Sequence, residues 1–456
     1  MTFDRRYVDS LFEAGSRELP LASLAPLMEG TMTVSALEKI AALACIRCAR
    51  RYPAGSVIDS RGCPACRAVA PSNLQVVYSE ESLTARRWPG GAGQRWSRYE
   101  NFLPVSAAEM VSLGEETTPL VLGQRIGESI RCPQLFFKQE SRNPTWSHKD
   151  RFSFVAVSHA RKIGARTVAT ASTGNAGASL AAYAAKAGLP CVVLTSQAAS
   201  GLMTEQIKRY GAMVVPLPEG RQRWPVLEEG VRRLGWYATS PFAAPVIGSH
   251  PVGIEGYKTI AYEVYEQLGD KVPEWIVVPT AYGDVLAGIF RGFQDLVDLG
   301  LAAKTPKLVA AEIYGSLVHS LGQAGDAVAE VERDHDTRAI SIWCVQSSFQ
   351  ALQALRASGG QAVRVGDNDL INLQNELART EGILGELSSV TALAAARELR
   401  ERGDIKADDT VVCLLTGSGM KDLDLTTVPD GSVHGLEGNL TSALSYLAQE
   451  YGYVPS

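Results

Sequence analysis

The chain has 456 residues, of which 46% are hydrophobic and 20% charged, and its net charge is −5. This length predicts two or three domains of a globular protein. The acidic balance argues against a nucleic-acid partner, and no stretch approaches the roughly 18 apolar residues of a membrane span. Charged residues interrupt the first 20 positions, so we predict no signal peptide and a cytoplasmic location.

Four cysteines cluster in the irregular region from residue 1 to about residue 100. They form two pairs, Cys45-x-x-Cys48 and Cys63-x-x-Cys66. Two such pairs can place four thiolates tetrahedrally around Zn²⁺, with no position left open for chemistry. We therefore predict a zinc-ribbon-like module over residues 1–100 with a structural zinc. A degenerate ribbon with free thiols is the alternative.

From about residue 115, short apolar runs alternate with longer stretches of helical periodicity. The predicted strands are 135–138, 167–170, 190–194, 213–216, 275–279, 307–311 and 410–415. The predicted helices are 176–187, 203–210, 254–268, 388–402 and a terminal helix 440–451 that packs on the core. This alternation predicts an α/β protein with parallel-type sheets flanked by helices. In such folds ligands bind at the carboxyl ends of the strands.

The first loop that carries chemical groups follows the predicted strand at 135–138. It reads Asn143-Pro-Thr-Trp-Ser-His-Lys-Asp-Arg151, and Lys149 opens the next helical pattern. A lysine that forms an imine needs a lowered pKa, which a helix N-terminus and neighbouring cations help to provide. The alternative is a surface lysine paired with Asp150.

Two further loops have the composition of anion sites. Thr170 to Ala178 is rich in small residues and precedes a helix, so its backbone N–H groups can approach a ligand. Thr280-Ala-Tyr-Gly-Asp284 also joins a strand to a helix, although Asp284 puts a negative charge where an anion should bind. For both loops the alternative is an ordinary helix cap.

A fourth loop, Thr416-Gly-Ser-Gly-Met-Lys-Asp422, follows the last predicted strand. The hydroxyl of Thr416 could form a hydrogen bond with a ring nitrogen. The alternative is a tight glycine turn without a ligand.

Together and in this order, the four loops resemble those of the fold-type II pyridoxal-phosphate enzymes, and most closely the threonine synthases. The resemblance covers roughly residues 115–425 and implies that Lys149 holds the cofactor as a Schiff base and is the catalytic residue. It implies further cofactor contacts from Asn175, Thr280, Ala281, Tyr282, Gly283, Asp284 and Thr416. The substrate contacts that it implies are Ser172, Thr173, Gly174 and His148.

The resemblance also implies a domain organisation and an assembly. A large cofactor-binding domain would comprise residues 101–151 and 270–456, and a small α/β domain residues 152–269. The expected partner is a small amino-acid substrate, and the expected assembly is a homodimer.

Several residues depart from the threonine synthase pattern. Trp146 and His148 stand where those enzymes often have Gly and Phe, and Ser418 replaces a typical His.

The expected reaction is elimination and hydration of O-phosphohomoserine to threonine, with Arg142, Arg151 and Lys258 as candidate cations for the substrate phosphate. The alternative is β-elimination or β-replacement on another amino acid, as in serine/threonine dehydratases or cysteate synthases. A zinc-ribbon binding protein with an inactive enzyme domain is the rival from another class, and the intact Lys149 argues against it.

Overall fold

The computed structural model describes residues 39–89, 95–197, 201–423, 439–452 and 454. The prediction about the first 20 residues, and part of the predicted module 1–100, lie outside the described residues. The strands are β1 (Ile40–Cys45), β2 (Arg51–Pro53), β3 (Leu74–Tyr78), β4 (Leu120–Leu122), β5 (Leu135–Gln139), β6 (Val168–Ala171), β7 (Cys191–Ser196), β8 (Met213–Leu217), β9 (Tyr237–Ala238), β10 (Trp275–Pro279), β11 (Lys307–Glu312), β12 (Gln361–Arg364) and β13 (Val411–Leu415).

The helices occupy most of the connections between these strands. They are α1 (Glu80–Thr84), α2 (Gln124–Ser129), α3 (Lys149–Lys162), α4 (Asn175–Ala187), α5 (Gly201–Arg209), α6 (Arg223–Leu234), α7 (Pro251–Ile254), α8 (Lys258–Gln267), α9 (Asp284–Asp298), α10 (Ser316–Leu321), α11 (Phe349–Ser358), α12 (Leu370–Glu381), α13 (Leu387–Glu401) and α14 (Leu440–Tyr451). The predicted helix 254–268 is interrupted by the short 3₁₀ turn Glu255–Tyr257, and the other predicted elements are confirmed.

The larger sheet has six strands in the order β12-β11-β10-β13-β5-β4. Its central strands β10 and β13 are apolar and buried at every residue. Such continuous apolar runs are typical of parallel strands covered by helices on both faces. Five strands are parallel to their neighbours, whereas the edge strand β4 pairs antiparallel with β5. The sheet is therefore mixed rather than wholly parallel.

The smaller sheet has four parallel strands in the order β8-β7-β6-β9. All four lie within residues 152–269, and the strands of the larger sheet all lie outside that range. This distribution agrees with the expected division into 101–151 plus 270–456 and 152–269. That the two parts behave as separate domains stays a prediction.

The cysteine-containing region is a small antiparallel sheet in the order β2-β1-β3, with its own core. Leu43, Cys45, Cys63 and Leu74 form that core. We call residues 39–79 the cysteine module. It is joined to the rest of the protein by buried contacts, among them the hydrogen bond of the Tyr78 hydroxyl with Glu255, at 2.8 Å.

A buried ion cluster holds the start of α3 against α8 and the end of β5. The Arg151 guanidinium pairs with Glu140 and Glu263, each at 2.7 Å, and Lys138 pairs with Glu263 at 2.6 Å. Burial opposes ionisation of the two carboxyls, but Arg151 outweighs it and holds the pKa of both below the usual value. Removing one partner from such a buried cluster costs about 3–5 kcal/mol. The cluster therefore fixes the turn of α3 that carries Lys149.

The terminal helix α14 has the predicted bounds, but its predicted packing on the core is wrong. None of its residues is buried, and Leu440 and Tyr451 are 73% and 71% exposed. Its apolar residues reflect helical periodicity and not contact with the described core. Among the described residues, no helix combines the length and the apolar character that crossing a membrane requires.

Candidate active site

Lys149 is the first residue of α3, and its side chain points into a pocket between the two sheets. Its Nζ lies 3.5 Å from the Tyr257 hydroxyl. The residues lining this pocket are Lys149, Phe152, Ser153, Thr170, Ala176, Thr239, Ser240, Ser249 and Tyr257. Burial lowers the pKa of Lys149, partly offset by the carboxylates of Asp284 and Glu386. A lowered pKa leaves more of the amine neutral, the form that attacks carbonyl groups.

The loop before Lys149 is held by its own motif residues. The Asn143 amide donates to Glu140 at 2.9 Å and to the carbonyl of Ser147 at 3.1 Å. The backbone N–H and hydroxyl of Thr145 donate to Asp150 at 2.7 and 2.5 Å. Asp150 therefore anchors this loop and does not pair with Lys149. The polar residues of the motif act mainly to build the turn that presents the lysine.

The loop after β6 supplies a helix N-terminus to the site. The Ser172 hydroxyl accepts from the N–H groups of Gly174 and Gly177 at 3.2 and 3.0 Å. Ser172, Thr173 and Gly174 are each partly exposed. The side chain of Asn175 is buried, donating to Glu386 at 2.7 Å and accepting from Lys421 at 2.6 Å. This loop therefore meets the loop after β13 through Asn175.

The loop after β10 runs from Thr280 to the first residue of α9. Thr280 caps its own strand by donating to the Val278 carbonyl at 2.8 Å. Gly283 has a φ of +78°, and an added Cβ there would lie 2.2 Å from the Cβ of Ala351. The Asp284 carboxylate accepts from the Ser249 N–H, the Ser249 hydroxyl and Gln350, at 3.0, 2.6 and 2.6 Å. Ala281 and Tyr282 are half-buried between these anchors.

The loop after β13 lies directly beside the lysine loop. The backbone N–H of His148 donates to the Thr416 carbonyl at 2.8 Å, and Nδ1 of its ring lies 3.0 Å from the same oxygen. The Thr416 hydroxyl lies 2.9 Å from the hydroxyl of Ser389. Burial lowers the pKa of Lys421 in this loop to about 8, an effect that Glu386 and Asp150 partly oppose.

The four loops that the sequence singled out therefore converge on one region. Tyr257 and Glu386 lie in it as well, in contact with Lys149 and Asn175, and the sequence did not single out either side chain. Ser249 was missed altogether. It precedes His250-Pro251 at the start of α7, and a short polar segment before a proline is a weak signal.

Two of the three cations predicted to bind a substrate phosphate are held in buried ion pairs. Arg151 pairs with Glu140 and Glu263 in the buried ion cluster. Lys258 pairs with Glu255 at 3.0 Å and with Asp295 at 2.8 Å. Arg142 is exposed, on the 3₁₀ turn that follows β5.

The residues around Lys149 fit an aromatic aldehyde that carries a phosphate group. The pocket contains the buried hydroxyl of Thr170, which has no hydrogen-bond partner among the described residues. The N-terminus of α9 offers backbone N–H groups to an anion. Asp284 puts a negative charge at this helix end, and its three donors hold its carboxylate toward Ser249 and Gln350.

The four cysteines of the module lie together as predicted. Their sulfur atoms are all within 4.8 Å of one another. Two of the separations, Cys45 to Cys66 and Cys48 to Cys63, are 3.8 Å. Four thiolates at about 2.3 Å from a tetrahedral zinc lie about 3.8 Å apart. The donor set and its spacing therefore fit zinc.

Comparison with known proteins gives a consistent set of similarities. The family model described as pyridoxal-phosphate-dependent enzyme matches residues 111–417. The threonine synthase of Methanosarcina acetivorans is 33% identical over 387 residues, which cover 83% of this chain and 92% of that protein. The threonine synthase of Methanocaldococcus jannaschii is 31% identical over 389 residues, covering 83% and 93%.

Solved structures resemble the chain in fold. Maize serine racemase superimposes with a TM-score of 0.58 at 18% identity, covering 68% of this chain and 90% of its own. The processed form of threonine deaminase isoform 2 from Solanum lycopersicum gives a TM-score of 0.56 at 22% identity, covering 69% and 88%. The shared fold is the fold-type II arrangement of a mixed and a parallel sheet flanked by helices.

Proposed function

Because the chain belongs to the pyridoxal-phosphate-dependent enzymes and is a lyase of the threonine synthase type, we propose that it converts O-phosphohomoserine to threonine and phosphate, with the cofactor attached to Lys149. The observation that carries this proposal is the convergence of four loops on one half-buried lysine. The relatives named threonine synthase, which align over most of their length, support the substrate.

The loops around Lys149 supply two sets of residues, one that would bind the cofactor and one that would bind the substrate. We propose that the loop from Thr280 to Asp284 holds the cofactor phosphate at the N-terminus of α9, by the backbone N–H groups of Ala281, Tyr282 and Gly283. The amide of Asn175 would contact the ring hydroxyl. Ser172, Thr173 and Gly174, which are partly exposed at the start of α4, would hold the substrate carboxylate.

Thr416 would face the ring nitrogen as a neutral partner. Its hydroxyl pairs with that of Ser389 and can donate or accept. A neutral partner does not force a proton onto the ring, which limits side reactions such as transamination. His148 would line the wall of the substrate pocket. Burial, together with the charge of Lys149, holds its pKa far below the usual value, so that wall is neutral.

When bound, pyridoxal phosphate supplies an electron sink for negative charge at the substrate α carbon. Nζ of Lys149 is the group placed to take a proton from that carbon and to return protons later in the reaction. Its lowered pKa suits this task, because an amine that is partly neutral can both accept and donate. The Tyr257 hydroxyl, 3.5 Å away, orients the amine.

A second function is favoured by one observation. Two of the three expected cations, Arg151 and Lys258, are held in buried ion pairs, and Arg142 lies exposed on the turn after β5. This favours β-elimination or β-replacement on an amino acid without a phosphate, of the serine/threonine dehydratase or cysteate synthase kind.

The two functions are separated by assaying the purified holoenzyme with O-phosphohomoserine and, in parallel, with serine and threonine. Release of phosphate together with threonine, lost by at least about 1,000-fold in Lys149→Ala, is the expected result. Ammonia and keto acid from serine or threonine, without phosphate release, would favour the second function. Turnover that survives in Lys149→Ala would contradict both.

We further propose that Cys45, Cys48, Cys63 and Cys66 hold a structural zinc. The 3.8 Å sulfur separations and the all-cysteine donor set support it. Four thiolates leave no open coordination position, so the metal would stabilise the module and take no part in the reaction. A homodimer and a cytoplasmic location, both expected from sequence, stay predictions.

A further inference from the structure

Within the cysteine module, the segment Ser72-Asn73 lies on the side that faces the Lys149 pocket, and backbone hydrogen bonds from both cysteine pairs hold it. The backbone N–H of Cys63 donates to the Ser72 carbonyl at 3.0 Å, and the N–H of Ile46 donates to the Asn73 carbonyl at 3.2 Å. Cys63 belongs to the second cysteine pair, and Ile46 lies between Cys45 and Cys48 of the first. The backbone at Asn73 is therefore fixed by both halves of the proposed zinc site.

The side chain of Asn73 leaves the module and enters the body of the protein. It is 2% exposed. Its Oδ1 accepts from the N–H of Leu74 at 2.9 Å, which orients the amide so that the nitrogen points away from the module. Nδ2 then donates to the Ser249 carbonyl at 3.0 Å and toward Oε1 of Gln350 at 3.5 Å.

Both acceptors of Asn73 act in turn on Asp284. Because Oε1 of Gln350 faces Asn73, its Nε2 faces Asp284 and donates at 2.6 Å. Ser249 donates to the same carboxylate from its N–H at 3.0 Å and its hydroxyl at 2.6 Å. An uninterrupted chain of oriented groups thus runs from the cysteine pairs to the first residue of α9.

Gly248 shows how tightly these groups are packed. It has a φ of +115°, and an added Cβ would lie 2.2 Å from Nε2 of Gln350, 2.8 Å from Oδ1 of Asp284 and 2.9 Å from Nδ2 of Asn73. A methyl group cannot fit at that point. These groups are in close contact, so a change of the Asn73 side chain should shift the position of the Asp284 carboxylate.

We propose that Asn73 is a positioning residue through which the cysteine module sets the conformation of the cofactor-phosphate loop. Asp284 carries a negative charge at the helix end where the phosphate is expected. Three donors hold its carboxylate toward Ser249 and Gln350, which leaves the helix end to the anion. Asn73 contacts both residues that supply these donors, the carbonyl of Ser249 and Oε1 of Gln350, and so holds them in place. This inference rests on the proposed function, because it assigns the phosphate to that loop.

The test is the affinity of apoprotein for pyridoxal phosphate, measured by visible absorbance, in the Asn73→Asp variant. This change keeps the side-chain volume, removes the donor and adds a charge near Asp284. The dissociation constant is expected to rise by about tenfold. Asn73→Ala, which adds no charge, is expected to raise it by about threefold and serves if the first variant does not fold.

Ser60→Ala is the matched control. The Ser60 hydroxyl accepts from the Phe242 N–H at 2.9 Å across the same interface, but it has no hydrogen bond with Asn73, Gln350 or Asp284. The control should lose thermal stability while its dissociation constant stays within about twofold of wild type. Zinc content is measured on each sample, and removal of zinc by a chelator should weaken cofactor binding in wild type but have little further effect in Asn73→Asp.

Asn73 variants that bind pyridoxal phosphate as tightly as wild type would overturn the inference, as would a Ser60→Ala variant that is equally impaired. A wild-type protein that takes up no pyridoxal phosphate would instead overturn the proposed function, and this inference with it. The two failures are therefore distinguishable in one titration series.

Discussion

At the scale of single residues, Trp146 combines an unusual backbone conformation with an exposed side chain. It has a φ of +66°, in the left-handed region that suits glycine. Its carbonyl accepts from the Ser418 N–H and its own N–H donates to the Asn143 carbonyl, at 3.1 and 2.8 Å. These bonds hold the strained backbone, and the side chain stands 51% exposed. Strain beside the lysine loop motivates the hypothesis that the indole contacts substrate.

We predict that Trp146→Gly folds with unchanged or slightly higher stability. Relief of left-handed strain gains about 1–2 kcal/mol, and the added chain entropy of glycine takes back about 0.5–1 kcal/mol. If the indole contacts substrate, the KM of the preferred amino acid should rise severalfold at similar kcat. Urea unfolding and steady-state kinetics on the same sample check both statements.

Arg131→Gly is the control for Trp146, because Arg131 has a φ of +57° in the loop before β5. It should show the same effect on stability and no effect on KM. A Trp146→Gly variant that loses more than about 1 kcal/mol would show that the indole stabilises the fold and is not kept for substrate.

The sequence predicted residues of this site unevenly, for a physical reason. Lys149, Asn175 and Thr416 lie at strand ends and helix starts, where local pattern alone raises the expectation of a ligand. Ser249 and Gln350 contribute through contacts with Asp284, which is distant in sequence from both. The sequence around Ser249 or Gln350 does not predict a contact with so distant a residue.

At the scale of elements, the junction of α9 with α11 determines the geometry of the loop from Thr280 to Asp284, which we propose holds the cofactor phosphate. Gly283 lies at this junction, with its Cα hydrogen facing Ala351 of α11. We predict that Gly283→Ala lowers the affinity for pyridoxal phosphate by at least about tenfold. The new methyl group would force the loop away from α11, and the adjoining N–H groups would move with it.

Gly300→Ala is the matched control for Gly283→Ala. Gly300 follows the other end of α9 with a φ of +72°, and an added Cβ there meets nothing within 4 Å. It should lose about 1–2 kcal/mol of stability through backbone strain and keep its cofactor affinity. Equal affinities in the two variants would contradict the role assigned to the loop.

The elements themselves were predictable where the chain alternates between apolar strands and long helices. β10 was predicted with its observed bounds because it is apolar throughout and ends at a proline. The three-residue strands β2 and β4 were not predicted, since so short a segment has no readable period. The antiparallel pairing of β4 depends on its partner β5 and not on its own sequence.

At the scale of the whole molecule, three parts meet at one site. The larger sheet supplies three of the loops, the smaller sheet supplies the loop of Asn175, and the cysteine module reaches the pocket wall through Asn73. Sequence indicated each part separately. Their docking depends on contacts between distant segments, which pattern and propensity do not reveal. We propose that this common site holds pyridoxal phosphate on Lys149.

A second lysine in the site allows a test that discriminates between two attachment points. Lys421 also lies in the site, and burial lowers its pKa to about 8. The most direct measurement is borohydride reduction of the holoenzyme, followed by proteolysis and mass spectrometry of the modified peptide. We predict a single pyridoxyl group on Lys149, which is absent from Lys149→Arg. A pyridoxyl group on Lys421, or none on any lysine, would contradict it.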